Sequence, residues 1–229
     1  MQEAFKPLVA NLLHSIQLEM QALPMLNAEA LRTLRRRYSK HLALASPGTM
    51  LELAQQFIEL ETFPFRFVAY ELIHHHKATL QSLGAKNLEA LARGLDGWES
   101  VDTFSCYLAG PVWREHQVPD ALIHRWARSK DRWFRRAALV STVPLNNKAR
   151  GGSRDSDRTL AVCEKLMDDR DDMVVKALSW ALRELAKRDP RAVQSFIRQH
   201  SNRLAPRVLR EVRNKLSTGL KNPSQKSRR

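Results

Sequence analysis

A chain of 229 residues, 43% of them hydrophobic, is long enough to bury a core without help from a metal or a disulfide. Lys and Arg total 38 against 24 Asp and Glu, a formal net charge of +14, which favours polyanionic partners and nucleic acid before others. Two cysteines, Cys106 and Cys163, exclude a disulfide scaffold, and neither a signal-peptide pattern nor an apolar run of membrane length is present, so a soluble, cytoplasmic protein with no membrane partner is expected.

In chain order almost every segment reads as helix, because strand-like alternation is missing and Leu, Ala, Glu, Arg and Lys dominate between Pro and Gly breaks. A first helix over 1–23 ends before Pro24, and Asn27 serves as N-cap for a helix over 28–44. Ser46-Pro47-Gly48-Thr49 opens the next at Met50; Phe63-Pro64 leads into 65–77; Gly84 separates that from 87–93. A helix from Gly97 to Tyr107, a break at Gly110-Pro111 and a helix over 119–128 follow.

The later chain repeats itself. Asp131-Arg132-Trp133-Phe134-Arg135-Arg136-Ala137-Ala138-Leu139 aligns with Asp171-Asp172-Met173-Val174-Val175-Lys176-Ala177-Leu178-Ser179 at a spacing of 40, and the stretch from Arg207 to Leu216 is a looser third copy. A period of about 40 built of paired helices is the signature of a HEAT-like solenoid, whose stacked pairs make a continuous concave surface. The expected architecture is therefore all-α: one right-handed HEAT-like superhelix over 1–220 with a concave basic groove, followed by a basic, disordered tail over 221–229. Between the copies, Asn146 to Ser156 is too polar and glycine-rich for a helix and reads as a flexible basic loop, either a connector or a phosphate contact.

Candidate functional residues are those that fall off the core face. Wound as a helix, Val101, Phe104 and Leu108 form one stripe, while Trp98, Asp102, Ser105 and Ala109 form another, so the indole and the carboxylate share a face one turn apart. In the helix from Met173 to Arg188 the core stripe is Val174, Val175, Leu178, Ala181, Leu182 and Leu185; Trp180 lies opposite, flanked by Lys176, Arg183 and Lys187. Arg136 occupies the repeat position of Lys176 and is expected on the same side, and Arg203, Arg207 and Arg210 form a further basic stripe. Together these suggest a basic hollow holding Trp98, Asp102, Arg136 and Trp180, suited to a phosphate backbone with a cationic or π-rich centre beside it. His74-His75-His76 does not read as a metal site, since consecutive helical residues diverge and no second ligand cluster appears; Arg35-Arg36-Arg37-Tyr38 reads as a solvated charge run or an auxiliary phosphate contact. No metal and no cofactor is called for.

At these residues the chain resembles the DNA alkylation repair family of AlkD-like, HEAT-repeat glycosylases. Trp98-Glu99-Ser100-Val101-Asp102 is similar to the family's W-D-x-V-D, Trp133-Phe134-Arg135-Arg136-Ala137-Ala138 to W-x-x-R-A-A, and Ser179-Trp180-Ala181-Leu182-Arg183-Glu184 to G-W-x-L-R-E. The resemblance implies that Trp98 and Trp180 bracket the damaged nucleotide's backbone, that Asp102 is the catalytic carboxylate, and that Arg136 binds phosphate; Lys176, Arg183, Lys187 and Arg210, from the basic helix faces, are expected as further phosphate contacts. It implies a monomer acting in base excision repair on double-stranded DNA with alkylated bases, cleaving the N-glycosidic bond of 3-methyladenine and 7-methylguanine. Gly97 stands where the best-known members carry another tryptophan, and Glu99 replaces an aspartate. A non-catalytic binder of branched or distorted DNA shares the same fold and groove and is the alternative.

Overall fold

The computed structural model describes residues 2–223, with side chains from residue 9 onward. The tail expected from 221 lies outside the described residues from 224 on. Every regular element is helical, and no strand occurs among the described residues. No helix among them is long and apolar enough to cross a membrane. Packing divides the chain between Val112 and Trp113 into two compact units.

The first unit contains α1 (Gln2–Gln21), α2 (Ala28–His41), α3 (Pro47–Glu59), α4 (Phe63–His75), α5 (Lys77–Ser82), α6 (Ala85–Leu91) and α7 (Trp98–Phe104). Local chemistry sets the starts: the Asn27 side chain accepts from the Ala30 N–H, and Ser46 accepts from Thr49 ahead of Pro47, satisfying first-turn donors that a helix leaves open. The stop at His75 and restart at Lys77 split a segment expected to be one helix. His76 adopts an extended backbone (φ −104°, ψ 92°), and its imidazole accepts from the Thr79 N–H as the cap of α5. Helices α2, α4 and α7 pack side by side, as do α1, α3 and α6, so the unit is two layers of helix pairs.

α7 does not continue to Tyr107 as an α-helix. Ser105–Ala109 form a π turn, in which the Gly110 N–H donates to the Ser105 carbonyl, and α8 (Gly110–Arg114) follows. A π turn holds an extra residue and so shifts the phase of everything after it. Val101, Phe104 and Leu108 are fully buried, as their stripe predicts, but Ser105 and Ala109 are buried too, and only Trp98 and Asp102 of the second stripe reach solvent.

The second unit contains α9 (Asp120–Ala127), α10 (Arg132–Val140), α11 (Val143–Asn146), α12 (Ser156–Leu166), α13 (Asp172–Leu185), α14 (Pro190–Gln199) and α15 (Pro206–Thr218). The repeat seen in the sequence is structural: Asp131 and Asp171 are the N-caps of α10 and α13, accepting from Trp133 and Met173 respectively. α10 packs on α13 and α13 on α15, while α9 packs on α12, again two layers. All six residues of the predicted α13 stripe are buried. The turn before α13 is tied to both neighbours: Arg135 pairs with Asp169 at 2.7 Å and Arg132 with Asp171 at 3.5 Å, while Arg203 and Arg207 pair with Asp168 and Asp172. The Arg132, Arg203 and Arg207 pairs are open to solvent and contribute about 0–1 kcal/mol each, so they set register more than stability, whereas the Arg135–Asp169 pair is largely buried.

The Asn146–Ser156 segment is anchored where a flexible loop is expected. Lys148–Arg150 form a 3₁₀ turn, and Asn146 is fully buried, donating to the Thr142 carbonyl and Thr159 Oγ1 and accepting from the Asp155 N–H. Gly152 lies so close to α11 that a Cβ there would sit 2.3 Å from the Pro144 carbonyl oxygen.

Candidate nucleic-acid site

In the first unit, Trp98 opens α7 with its indole 49% exposed, and Asp102 follows one turn later, half-buried. α7 is held from behind by the buried Phe104, whose ring lies 5.6 Å from that of Tyr70 in α4. Gly97 precedes the indole in extended backbone (φ −142°), and the Glu99 carboxylate lies 3.3 Å from where its Cβ would be. The space a larger residue would fill beside Trp98 is thus bordered by a second acid.

The arginine run of α2 is paired rather than freely solvated. Arg32 and Arg35 reach Glu71 of α4 at 3.2 and 3.0 Å; that carboxylate is only 3% exposed. Arg36 pairs with Glu29 at 2.8 Å, and Glu19 takes both Arg37 and the Tyr38 hydroxyl. The three histidines diverge. His74 Nδ1 lies 2.9 Å from the Tyr107 carbonyl, His75 Nε2 is 3.6 Å from Glu71, and His76 caps α5. Burial pushes His75 below the usual imidazole value, Arg35 and His74 adding to the shift and Glu71 opposing it.

In the second unit, Trp180 of α13 is half-exposed, on the face its helical phase predicts. Its cationic surroundings are partly neutralised, Asp172 being shared with Arg207 and Glu211 with Lys221. Lys176 pairs with Asp172 at 2.6 Å, Lys187 with Glu184 at 2.7 Å, and Arg183 lies 3.8 Å from Glu211 while donating to Ser179 Oγ at 3.2 Å. Burial holds Arg183 below the ordinary arginine value against the opposing pull of Glu211 and Glu184. The buried Glu211 is a neighbour that helical periodicity does not reveal, because its partners Ser179 and Arg183 lie on another helix.

Arg136 differs most from its sequence reading. Lys176, its repeat equivalent, is exposed, whereas Arg136 is 5% exposed and donates to the Met173 carbonyl at 2.6 Å. The reason is packing: α10 lies among α9, α12 and α13, and the guanidinium meets the first turn of α13. Arg210 is exposed on α15, with no side-chain partner among the described residues. No cluster of three or more metal-binding side chains occurs among the described residues.

Residues 16–216 match a family model described as DNA alkylation repair enzyme. The chain belongs to that family. A search of the curated proteins found no match. Membership of the DNA alkylation repair family places the chain in alkylation repair and makes DNA its partner.

Proposed function

We propose that this member of the alkylation repair family is a DNA glycosylase that hydrolyses the N-glycosidic bond of cationic alkylated purines, 3-methyladenine and 7-methylguanine, in duplex DNA. What carries the reading is the pairing of Trp98 and Asp102 on one solvent-reaching face of α7. An alkylated purine that is already cationic leaves with the bonding electron pair as a neutral base and needs no general acid. Positive charge then grows on the deoxyribose C1′. The Asp102 carboxylate and the electron-rich face of Trp98 stabilise that charge, and Asp102 aligns the water whose oxygen bonds to C1′ and accepts the proton released.

Trp180, Arg136, Lys176, Arg183, Lys187 and Arg210 are the second unit's share of the proposed contact with DNA. A phosphate replaces the present carboxylate partner easily at Lys176, whose pair with Asp172 is open to water on both sides and contributes about 0–1 kcal/mol; at Lys187 it would leave the buried Glu184 without its cation. The missing side chain at Gly97, beside the indole, is the observation favouring the second reading, a non-catalytic binder of branched or distorted DNA.

The test is release of free 7-methylguanine from methylated duplex. Asp102→Asn is expected to lower the rate by a factor on the order of 10²–10³ with DNA affinity equal or higher, since a negative charge is removed. Equal release by the variant removes Asp102 from the chemistry. No release by the wild type, with tight binding of a branched junction, replaces the glycosylase with the binder.

A further inference from the structure

Two adjoining hollows lie on the last helix pair of the second unit, of about 680 and 550 Å³, and they share Ser201 and Arg213. Arg170, Arg210 and Arg213 line the larger one; Arg198 and Arg213 line the smaller. No described carboxylate lines either. Five arginines elsewhere in this unit are matched: Arg132, Arg135, Arg158, Arg203 and Arg207 each face an aspartate. Arg198, Arg210 and Arg213 have no side-chain partner among the described residues, so their charges crowd together unneutralised. Arg170 is held in place by the carbonyls of Met167, Asp169 and Arg203, which keeps its cation at the rim.

Like charges gathered around a concavity repel one another unless an anion sits among them. Guanidinium groups fit phosphate oxygens with paired N–H donors, and Leu209 and Leu216 add apolar wall of the kind that packs against a base. We infer that this double hollow binds the phosphate of a nucleotide, with Arg213 as the shared contact. The nucleotide is either free or part of a DNA strand. The inference rests on the second unit alone and does not depend on whether the chain cleaves a glycosidic bond.

The experiment titrates the full chain with deoxyadenosine monophosphate and, separately, inorganic phosphate, following the arginine side-chain N–H signals by NMR. Saturable binding of the nucleotide to wild type is expected, weakened about tenfold or more by Arg213→Ala and by Arg198→Ala. Arg132→Ala, which removes the same charge from an ion pair outside the hollows, leaves it within about twofold. A parallel salt titration with unmodified duplex separates the sources. If Arg213→Ala lowers the log–log salt slope by about 0.9, the phosphate belongs to DNA; if the slope is unchanged while nucleotide binding is lost, it belongs to a free nucleotide. Lack of saturation by the nucleotide, or equal loss in the Arg132→Ala control, overturns the site. Neither result bears on base release, so the glycosylase reading stands or falls by its own assay.

Discussion

Arg136→Met separates two roles that one side chain carries in this reading. Methionine keeps much of the unbranched stem and its buried area but removes the guanidinium, so the Met173 carbonyl loses its 2.6 Å charged donor. A hydrogen bond to a charged group contributes about 1.5–3 kcal/mol. For a protein of this length each kcal/mol shifts Tm by roughly 2–4 °C, so a fall of roughly 3–12 °C is expected in thermal unfolding followed by circular dichroism. The phosphate role reads out elsewhere. Losing one phosphate contact flattens the log–log salt dependence of duplex affinity by about 0.9, which makes the loss of affinity between 50 and 200 mM salt about three- to fourfold smaller. Fluorescence anisotropy with a labelled duplex across that range measures it. A lower Tm with an unchanged salt slope refutes the phosphate contact; a flatter slope with unchanged Tm refutes the anchoring of α10 to α13.

The buried Glu71 clamp should matter far more than the exposed pair beside it. Glu71→Ala leaves Arg35, 11% exposed, without its carboxylate and is expected to cost about 2–4 kcal/mol in urea unfolding, whereas Glu29→Ala costs about 0–1 kcal/mol; equal costs refute the distinction. Gly152→Ala drives a Cβ against the Pro144 carbonyl oxygen, a backbone atom unable to swing aside, and is expected to destabilise by about 1–3 kcal/mol; an unchanged Tm means the loop does not lie on α11 in solution. Stability should fall as pH drops from 7.5 towards 5.5, before ordinary carboxylates titrate. Burial lowers both His75 and His124, with Arg35 and His74 acting on the first and Lys165 and Arg128 on the second, against Glu71 and Asp120. A depressed folded pKa means the unfolded chain binds more protons, so this stability is present above about pH 6.5 and is lost as pH falls through the folded values. The double variant His75→Gln, His124→Gln should flatten the profile; an unaltered slope assigns it to other groups.

Helical phase made the core legible. The α13 stripe and the burial of Val101, Phe104 and Leu108 follow from 3.6-residue periodicity alone, as does the solvent-facing placement of Trp98 and Trp180. The shared spacing of Asp131 and Asp171 was readable because both residues perform the same local task of capping. What escaped was set by contacts distant in sequence. Arg35 meets a carboxylate 36 residues away and Arg136 a carbonyl 37 residues away, and no local pattern distinguishes those arginines from solvated ones. The π turn after Phe104 and the break at His76 also have weak local signals, since neither needs Pro or Gly at its centre.

Those long-range pairings change how the positive charge bears on DNA. A reading of isolated stripes puts Lys176, Arg183 and Lys187 around Trp180 as three free cations, yet each meets a carboxylate, Asp172 and Glu211 being shared with Arg207 and Lys221. An approaching duplex therefore meets less unbalanced charge at that indole than the stripes alone suggest. The excess of +14 acts instead as a long-range field, which raises the rate of encounter and falls with ionic strength over a Debye length of about 8–10 Å. Close contact then requires each phosphate to displace a carboxylate, a step that is easy for the exposed Lys176 pair and harder for Lys187, whose partner Glu184 is buried, and for Arg183, whose side chain is 18% exposed and packed against Ser179 and Glu211. Arg183→Ala should consequently act on stability first, whereas Lys176→Ala should act on the salt slope with Tm almost unmoved. The reverse ordering in paired unfolding and anisotropy measurements would mean that Arg183, not Lys176, faces the phosphate.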